Sequence, residues 1–186
     1  MKVVIIDYGA GNVFSVQQAF NRIGVETQLT NDPIVIQSAD RIIFPGVGHA
    51  KPAMEELKKC GLDQLIPTLN QPVLGICLGM QLMCNETDEG TTKGLGIFDT
   101  TVDLFSEQVV VPHIGWNDVR FTEDILEPYY FVHSFKAPIC ADTWGICDYE
   151  QPFSAALRKN QFWGVQFHPE KSGTAGEQFL LQFINQ

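Results

Sequence analysis

Four short apolar runs, separated by stretches with helical spacing, constrain the fold of this chain more than any other feature. The runs are KVVIID at 2–7, VETQLT at 25–30, RIIF at 41–44 and PVLGIC at 72–77. Short apolar runs rich in β-branched residues are typical of strands in a buried sheet. Apolar residues recur at helical spacing over 13–23, and 50–60 also has helical character. The alternation of strands and helices predicts a parallel sheet with helices on both faces.

The second half of the sequence has a different pattern, in which short strand candidates are separated by proline, aspartate and glycine. The candidates lie at 102–105, 109–113, 118–121, 129–135, 143–149, 154–160 and 162–167. An apolar stripe over 175–185 then predicts a final amphipathic helix. We therefore expect one α/β domain over 1–186, with a mostly parallel open sheet, flanking helices and antiparallel additions at one side.

Composition and charge exclude several classes of function. The chain has 186 residues, of which 45% are hydrophobic and 18% charged, as in ordinary globular proteins. Its net charge of -10 disfavours binding to nucleic acids or anionic membranes, which depends on basic patches. The sequence has no apolar run as long as a transmembrane helix, and MKVVIIDYGAG lacks the layout of a signal peptide.

The cysteines indicate a reducing, cytoplasmic setting. There are five, which is an odd number, and none belongs to a CxxC pair, so neither a disulfide framework nor a structural metal site is expected. We expect four of them to behave as small buried hydrophobic residues. These four are Cys60, Cys84, Cys140 and Cys147.

The fifth, Cys77, stands where a buried strand ends and a helix is expected to begin. GICLG at 75–79 has the form Gly-x-nucleophile-x-Gly, in which a sharp turn crowds the positions two before and two after the nucleophile. The positive end of the following helix would favour a thiolate, and the N–H of Leu78 could donate to an oxyanion. A buried cysteine beside two packing glycines is the alternative explanation of this motif.

A cysteine nucleophile needs a base, and His49, His113, His133 and His168 compete for that role. His168 follows an apolar strand candidate in VQFHPEKS, and Glu170 stands two residues later. A nearby carboxylate can orient an imidazole ring and stabilise its protonated form. The pattern therefore favours Cys77, His168 and Glu170 as a catalytic triad over a structural role for the histidine.

The loop PGVG at 45–48 follows another strand candidate. Its glycines, Gly46 and Gly48, allow unusual backbone angles and close approach to a ligand. A second oxyanion donor from this loop would suit acyl transfer, although the motif taken alone favours an ordinary turn. No G-K-[ST] follows, so the loop does not indicate a phosphate site.

With PGVG, GICLGMQ and FHPE in this order, the chain resembles the class I glutamine amidotransferases of the triad type. The stretches IDYGAGN, PGVGHAKPAM, VPHIGWN, YFVHS and HPEKSG resemble one branch of that family, the glutaminase subunits of imidazole glycerol phosphate synthase. The resemblance covers the whole length of the chain. It implies a flavodoxin-like α/β fold and no cofactor or metal.

The resemblance also implies a mechanism. The Cys77 thiolate attacks the side-chain amide of L-glutamine, while N–H groups of Leu78 and of the loop Gly46, Val47 and Gly48 hold the oxyanion. His168 protonates the leaving ammonia and then activates water, and Glu170 positions His168. A γ-glutamyl thioester is the intermediate, and glutamate is the product.

Further roles follow from the positions that match the family. Residues matching Gln81, Glu89, His133 and Ser134 contact the substrate, and Glu89 would pair with its α-ammonium group. Without the resemblance, Glu89 would be taken for a solvated loop acid. The ammonia passes to a (β/α)8-barrel cyclase subunit in a heterodimer. Positions matching Asn12, Tyr130 and Lys171 face that partner.

The chain departs from the family pattern in the site loops. Phe135 stands where tyrosine is common, Ala50 stands where phenylalanine is frequent, and Pro52 lies where a helix should begin. None of these departures touches the triad. Two alternatives remain open, a paralogue that feeds ammonia to the amidotransfer of surface-polysaccharide sugars and a catalytically silent regulatory subunit.

Overall fold

The parallel strands and the helices between them form as the apolar runs predict. A computed structural model describes residues 1–106, 109–122 and 125–186 of the chain. In chain order, the first elements are β1 (Val3–Ile6), α1 (Val13–Arg22), β2 (Thr27–Thr30), α2 (Pro33–Gln37), β3 (Arg41–Gly46), α3 (Ala50–Lys59), α4 (Leu62–Leu65), β4 (Val73–Cys77) and α5 (Leu78–Met83). The alternating order predicts a helix between β2 and β3 without giving its bounds, and the short α2 lies there, whereas α4 was not predicted. Pro52 is tolerated in the first turn of α3 because its missing N–H has no intrahelical partner there.

The remaining elements confirm the strand-rich second half. They are β5 (Cys84–Thr87), β6 (Thr92–Lys93), β7 (Phe98–Leu104), β8 (His113–Thr122), β9 (Ile125–His133), β10 (Phe135–Lys136), β11 (Thr143–Tyr149), β12 (Gln151–Lys159), β13 (Phe162–Val165) and α6 (Gly173–Ile184). Short 3₁₀ turns span Ile66–Thr68 and Pro169–Lys171. The candidates at 109–113 and 118–121 were partly wrong, because β8 is one strand that begins only at His113.

The main sheet has nine strands in the order β2-β1-β3-β4-β13-β12-β11-β8-β9. The first five strands in this order are mutually parallel, and the other four extend the sheet in antiparallel pairs. The expected parallel sheet with antiparallel additions at one side is therefore confirmed. A separate four-stranded sheet, β10-β7-β5-β6, was not predicted.

Each face of the parallel sheet packs against its own layer of helices. Val4 and Ile6 of β1 join one core cluster with the buried faces of α3 and α5. Val3 and Ile5, which point the other way because side chains alternate along a strand, join a second cluster with α1 and α6. No helix within the described residues is long and apolar enough to cross a membrane.

Helix α6 lies directly against the turn that follows β13. Gly176 of α6 packs so closely that a Cβ atom there would fall 1.9 Å from the carbonyl oxygen of Pro169 and 2.9 Å from Cβ of Ser172. No side chain larger than hydrogen fits this contact. The position of α6 is therefore coupled to the backbone on either side of Glu170.

Replacement of Gly176 by alanine is expected to destabilise the protein. Helix propensity alone would stabilise it by roughly 1 kcal/mol, but overpacking against Pro169 costs about 1–3 kcal/mol. Urea unfolding measures the sum of these two effects as a decrease in the free energy of unfolding of the variant relative to the wild type. Gln182→Ala, an exposed change later in the same helix, serves as the control. A gain in stability for Gly176→Ala would contradict the packing described here.

Candidate active site

The register of three parallel strands brings the sequence motifs together at one edge of the sheet. Strand β4 lies between β3 and β13, with Gly46 of β3 opposite Cys77 and Val165 of β13 opposite Ile76. Since all three strands are parallel, the segments that follow them emerge side by side. The loop after β3, the nucleophile candidate and the segment leading to His168 therefore meet.

Cys77 has a backbone conformation that non-glycine residues seldom adopt, with φ of 53° and ψ of -111°. It caps α5, which begins at the next residue. A Cβ on Gly75 would fall 2.5 Å from Sδ of Met83, and one on Gly79 would fall 2.0 Å from the carbonyl oxygen of Phe44. The crowding expected on both sides of the nucleophile is present, and only glycine fits at either position.

Two backbone segments flank the Cys77 sulfur. Leu78 is the first residue of α5, so its N–H has no acceptor within the helix. Gly46 lies so close to α5 that a Cβ there would be 2.7 Å from the N atom of Gly79. Gly48 has φ of 93°, a conformation that favours glycine. Backbone N–H groups at such positions can stabilise an oxyanion.

His168 and Glu170 are buried and hydrogen-bonded to each other. The Nδ1 atom of His168 lies 2.7 Å from Oε1 of Glu170, and both side chains are 2% exposed. The backbone N–H of His168 donates to the carbonyl of Tyr130 at 2.9 Å. The Nε2 atom of His168 is buried without a hydrogen-bond partner among the described residues. With Nδ1 bound to the carboxylate, Nε2 is left to exchange protons with a substrate.

The environment of His168 favours its protonated form. Burial by itself would lower the pKa of this imidazole, but the nearby Cys77 sulfur and the Glu170 carboxylate outweigh burial and raise the pKa to about 10. The arrangement therefore fits an imidazolium paired with a thiolate.

His113 and His133 form a neutral pair beside this site. Nδ1 of His133 donates to the carbonyl of Phe135 at 2.7 Å, so its Nε2 must accept from Nδ1 of His113 at 3.0 Å. Burial lowers the pKa of His133 to about 3 and that of His113 to about 4. Both rings are therefore neutral at pH 7. This pairing leaves His168 as the histidine best placed to act as a base toward Cys77.

Glu89 lies in the hairpin between β5 and β6, and the fold carries it to the start of α3. Its Oε2 accepts a hydrogen bond from the N–H of Ala50 at 2.7 Å, and Oε1 lies 3.3 Å from Nδ1 of His49. The carboxylate is buried, with 9% of the residue exposed. The description of Glu89 as a solvated loop acid is therefore wrong.

One open cavity of about 290 Å³ lies over these groups. It is lined by residues from the sequence prediction, namely Val47, Gly48, Cys77, Leu78, Gln81, Glu89, His133, Ser134, His168 and Lys171. Pro112, Val132 and Phe135 also line it, and of these three only Phe135 stood out in the sequence, as a departure from the family pattern. Gly46 and Glu170 lie behind this lining. Within the described ranges, no group of three or more His, Cys, Asp or Glu residues could hold a metal ion.

The three residues expected at a partner surface lie in different settings. Lys171 lines the cavity, and its Nζ lies 5.8 Å from the centre of the Tyr130 ring. Asn12 caps α1, where its Oδ1 accepts from the N–H of Ser15 at 3.2 Å. Asn12 and Tyr130 are not among the cavity-lining residues.

Gln166 is a site residue that sequence reasoning missed. It is 0% exposed, and its Nε2 lies 3.6 Å from Sγ of Cys77. The only indication of its role in the sequence was its position in VQFHPEKS, two residues before His168. There the pattern predicts part of an apolar strand.

The other cysteines behave as expected of free thiols. All are free, Cys84 and Cys147 are buried, and Cys60 and Cys140 are partly buried against the core. Burial raises the pKa of Cys147 to about 12 and raises that of Cys84 further. The two buried thiols are therefore protonated and unreactive at neutral pH.

Replacement of Cys77 by alanine is expected to lower the pKa of His168, because burial would no longer be opposed by the sulfur. NMR titration of the ring nitrogens measures this change, and Cys60→Ala is the control. In the wild type, the folded pKa lies above 6.5, the ordinary value for histidine, so His168 contributes stability that is complete below that pH and lost as pH rises through about 10. An unchanged His168 titration in Cys77→Ala would contradict the pairing.

Solved structures with this fold include glutamine amidotransferases. A crystal structure of a glutamine amidotransferase superposes with a TM-score of 0.79 at 16% identity, covering 98% of this chain and 97% of that one. The structure of PurLQS from Thermotoga maritima superposes with a TM-score of 0.71 at 16% identity, covering 99% and 97%. At this level of identity the likeness concerns the fold alone.

Sequence relatives are much closer. The family model for class-I glutamine amidotransferases matches residues 4–185. Subunits HisH of imidazole glycerol phosphate synthase are 50% identical in Bacteroides thetaiotaomicron (100% of both chains), 44% in Pectobacterium atrosepticum (99% of both) and 41% in Staphylococcus aureus (98% of this chain, 96% of the relative). The chain therefore belongs to the class-I glutamine amidotransferase family and, within it, to the group of HisH subunits.

Proposed function

We propose that this chain is the glutaminase subunit of an imidazole glycerol phosphate synthase, with residues 1–186 acting as one amidotransferase domain. It hydrolyses L-glutamine to glutamate and ammonia, and the ammonia is used by a cyclase subunit in histidine biosynthesis. One observation supports this reaction most directly. Cys77 and His168 line the same cavity, and Glu170 binds the far nitrogen of His168.

In the first half of the reaction, the Cys77 thiolate attacks the side-chain amide carbon of glutamine. The carbonyl oxygen becomes an oxyanion, to which the N–H of Leu78 and the N–H groups of the 46–48 loop are proposed to donate. The C–N bond then breaks, and the imidazolium of His168 gives its proton to the departing amine through Nε2. Ammonia and a γ-glutamyl thioester result.

In the second half, a water molecule attacks the thioester. His168 is now neutral and accepts the water proton at Nε2, while Glu170 stabilises the imidazolium that forms. The C–S bond breaks, the electron pair stays on the Cys77 sulfur, and glutamate leaves. The enzyme returns to the thiolate–imidazolium pair with which it began.

Recognition of glutamine depends on the polar groups around the cavity. Glu89 supplies a buried carboxylate for the α-ammonium group, and its position is fixed by the N–H of Ala50. Gln81 offers its Oε1 atom, since its Nε2 is already hydrogen-bonded within the protein. His133 and Ser134 also line the cavity.

The partner is a (β/α)8-barrel cyclase that forms a heterodimer with this chain. Ammonia released into water at pH 7 would be protonated and lost as a nucleophile, so direct transfer to a bound partner is an advantage. Lys171 and Tyr130 stand beside the cavity, and the exposed Trp116 ring packs 6.1 Å from that of Tyr130. These residues and Asn12 are proposed to face the cyclase.

The structure and the relatives favour this function over the two alternatives. The HisH relatives bear the name of a synthase that forms imidazole glycerol phosphate, which favours that pathway over sugar amidotransfer. A silent regulatory subunit would have no need for the buried His168–Glu170 pair beside a strained cysteine. The five free thiols suit a reducing cytoplasm.

Cys77→Ala is expected to abolish glutamate release. Loss of a catalytic nucleophile typically reduces turnover by roughly four orders of magnitude or more. The assay mixes this chain with the cyclase subunit, the cyclase substrate and glutamine, and measures glutamate and imidazole glycerol phosphate. Cyclase turnover with added ammonium salt should persist because it bypasses the glutaminase, and co-elution of the variant with the cyclase in gel filtration shows that the variant still folds and binds. Glutamate release at the wild-type rate would refute the mechanism.

Glu89→Gln is expected to raise the KM for glutamine at least about tenfold with a smaller effect on kcat, because a charge-assisted contact to the α-ammonium is lost. The amide oxygen can still accept from the N–H of Ala50, so the loop should keep its structure. Glu86→Gln, an exposed change on the same hairpin, is the control. A KM unchanged from wild type in Glu89→Gln would remove the carboxylate from substrate recognition.

A further inference from the structure

The side chain of Gln166 connects the nucleophile to the interior of the protein. Gln166 directly follows β13, and since Val165 pairs with Ile76, it lies beside Cys77. Its backbone N–H donates to the carbonyl of Ala155 at 2.9 Å. In the side chain, Nε2 lies 3.6 Å from Sγ of Cys77 and Oε1 lies 2.9 Å from Nε2 of Gln81. The amide is therefore anchored at both ends.

Hydrogen-bond chemistry determines which end of that amide faces the sulfur. The carbonyl oxygen of Phe135 can only accept, so the Gln81 atom that lies 3.2 Å from it must be the nitrogen, Nε2. That nitrogen also contacts Gln166, where the opposing atom must be an acceptor. The oxygen of Gln166 is thereby directed to Gln81, and its N–H is directed to the Cys77 sulfur.

The carbonyl of Phe135, at the far end of this series of hydrogen bonds, is itself held in place. His133 donates to the same oxygen of Phe135 at 2.7 Å, and His113 in turn donates to His133. The ring of His113 stacks between Tyr149, at 3.9 Å between centroids, and Phe131, at 4.8 Å. If the Gln166 amide were reversed, its Nε2 would face Nε2 of Gln81, and two donors would oppose each other.

Burial makes the identity of the acceptor important. Gln166 is fully buried, and a buried amide N–H without a good acceptor costs free energy. A neutral thiol is a weak acceptor, whereas a thiolate receives a charge-assisted hydrogen bond. The hydrogen bond from Gln166 is therefore stronger when the sulfur carries a negative charge.

We propose that Gln166 is a catalytic residue that donates a hydrogen bond to the Cys77 sulfur, and that Gln81 is the positioning residue that orients its amide. This proposal rests on the function proposed above. In the free enzyme, the hydrogen bond increases the population of the thiolate. In deacylation, the C–S bond breaks, water supplies the new C–O bond, His168 takes the proton, and Gln166 stabilises the electron pair left on sulfur.

The proposal is tested by alkylation of the full-length chain with iodoacetamide across pH, with modification at Cys77 followed by peptide mass spectrometry. Only the thiolate reacts, so the rate reports its population without any need for glutamine or a partner. In Gln166→Leu, the pH midpoint of Cys77 alkylation is expected to rise by about one unit, and its rate below the midpoint to fall about tenfold, as for loss of a hydrogen bond to a charged group.

Two more variants separate this role from a structural one. Gln166→Glu keeps the size of the side chain and an oxygen facing Gln81, but it replaces the donor with an acceptor, so the midpoint should rise at least as far as in Gln166→Leu. Gln81→Leu leaves the Gln166 amide free to reorient, and a smaller rise is expected. Gln161→Leu is the matched control, because Gln161 donates to Leu69 at the opposite end of β13 and lies outside the cavity lining.

The outcomes are distinct. Unchanged midpoints in folded Gln166→Leu and Gln166→Glu, verified by circular dichroism, would overturn the proposal and leave the proposed glutaminase function intact. An equal rise in Gln161→Leu would also overturn it. A wild-type Cys77 whose alkylation midpoint is no lower than that of the cysteines in the denatured chain would also overturn the proposal, whereas the proposed function is tested separately by glutamate release in Cys77→Ala.

Discussion

The site depends on one strained backbone conformation, which holds the Cys77 sulfur clear of the sheet. A non-glycine residue at φ of 53° and ψ of -111° costs on the order of 1–3 kcal/mol and persists only where its surroundings over-determine it. Here the surroundings are backbone segments that pack closely against one another. Gly46, Gly75 and Gly79 allow β3, β4 and α5 to approach more closely than any Cβ would permit. The nucleophile is positioned by contacts in which its own side chain takes no part.

Burial lowers the pKa of all three histidines of the site, but the net result differs between them. Desolvation disfavours the charged form of every imidazole, and it holds His113 and His133 neutral because each finds only a neutral partner. His168 is also buried, but it has a carboxylate on one side and a sulfur near the other, and the two together outweigh desolvation. The charged partners of His168, and not its burial, therefore distinguish it from the neutral His113–His133 pair.

The sequence predicted those parts of the structure that depend on local patterns. The parallel strands follow from apolar runs, and His168 with Glu170 follows from three adjacent residues after a strand. What was missed depends on tertiary contacts between distant segments. Strand β5 carries polar residues in CNET and has no apolar run, and its position in a second sheet brings Glu89 to α3. The contact between Gln81 and Gln166 joins residues 85 apart, through a register that no local pattern reveals.

The insertion of β13 between β4 and β12 has a consequence for the order in which the enzyme is made. The ribosome completes β13 after every other strand, yet this strand occupies the interior of the sheet, where it pairs on both edges. A nascent chain that ends at β12 already contains the thiol but neither Gln166 nor the histidine that would activate it. The topology thus delays the appearance of a reactive sulfur until the sheet that shields it can close.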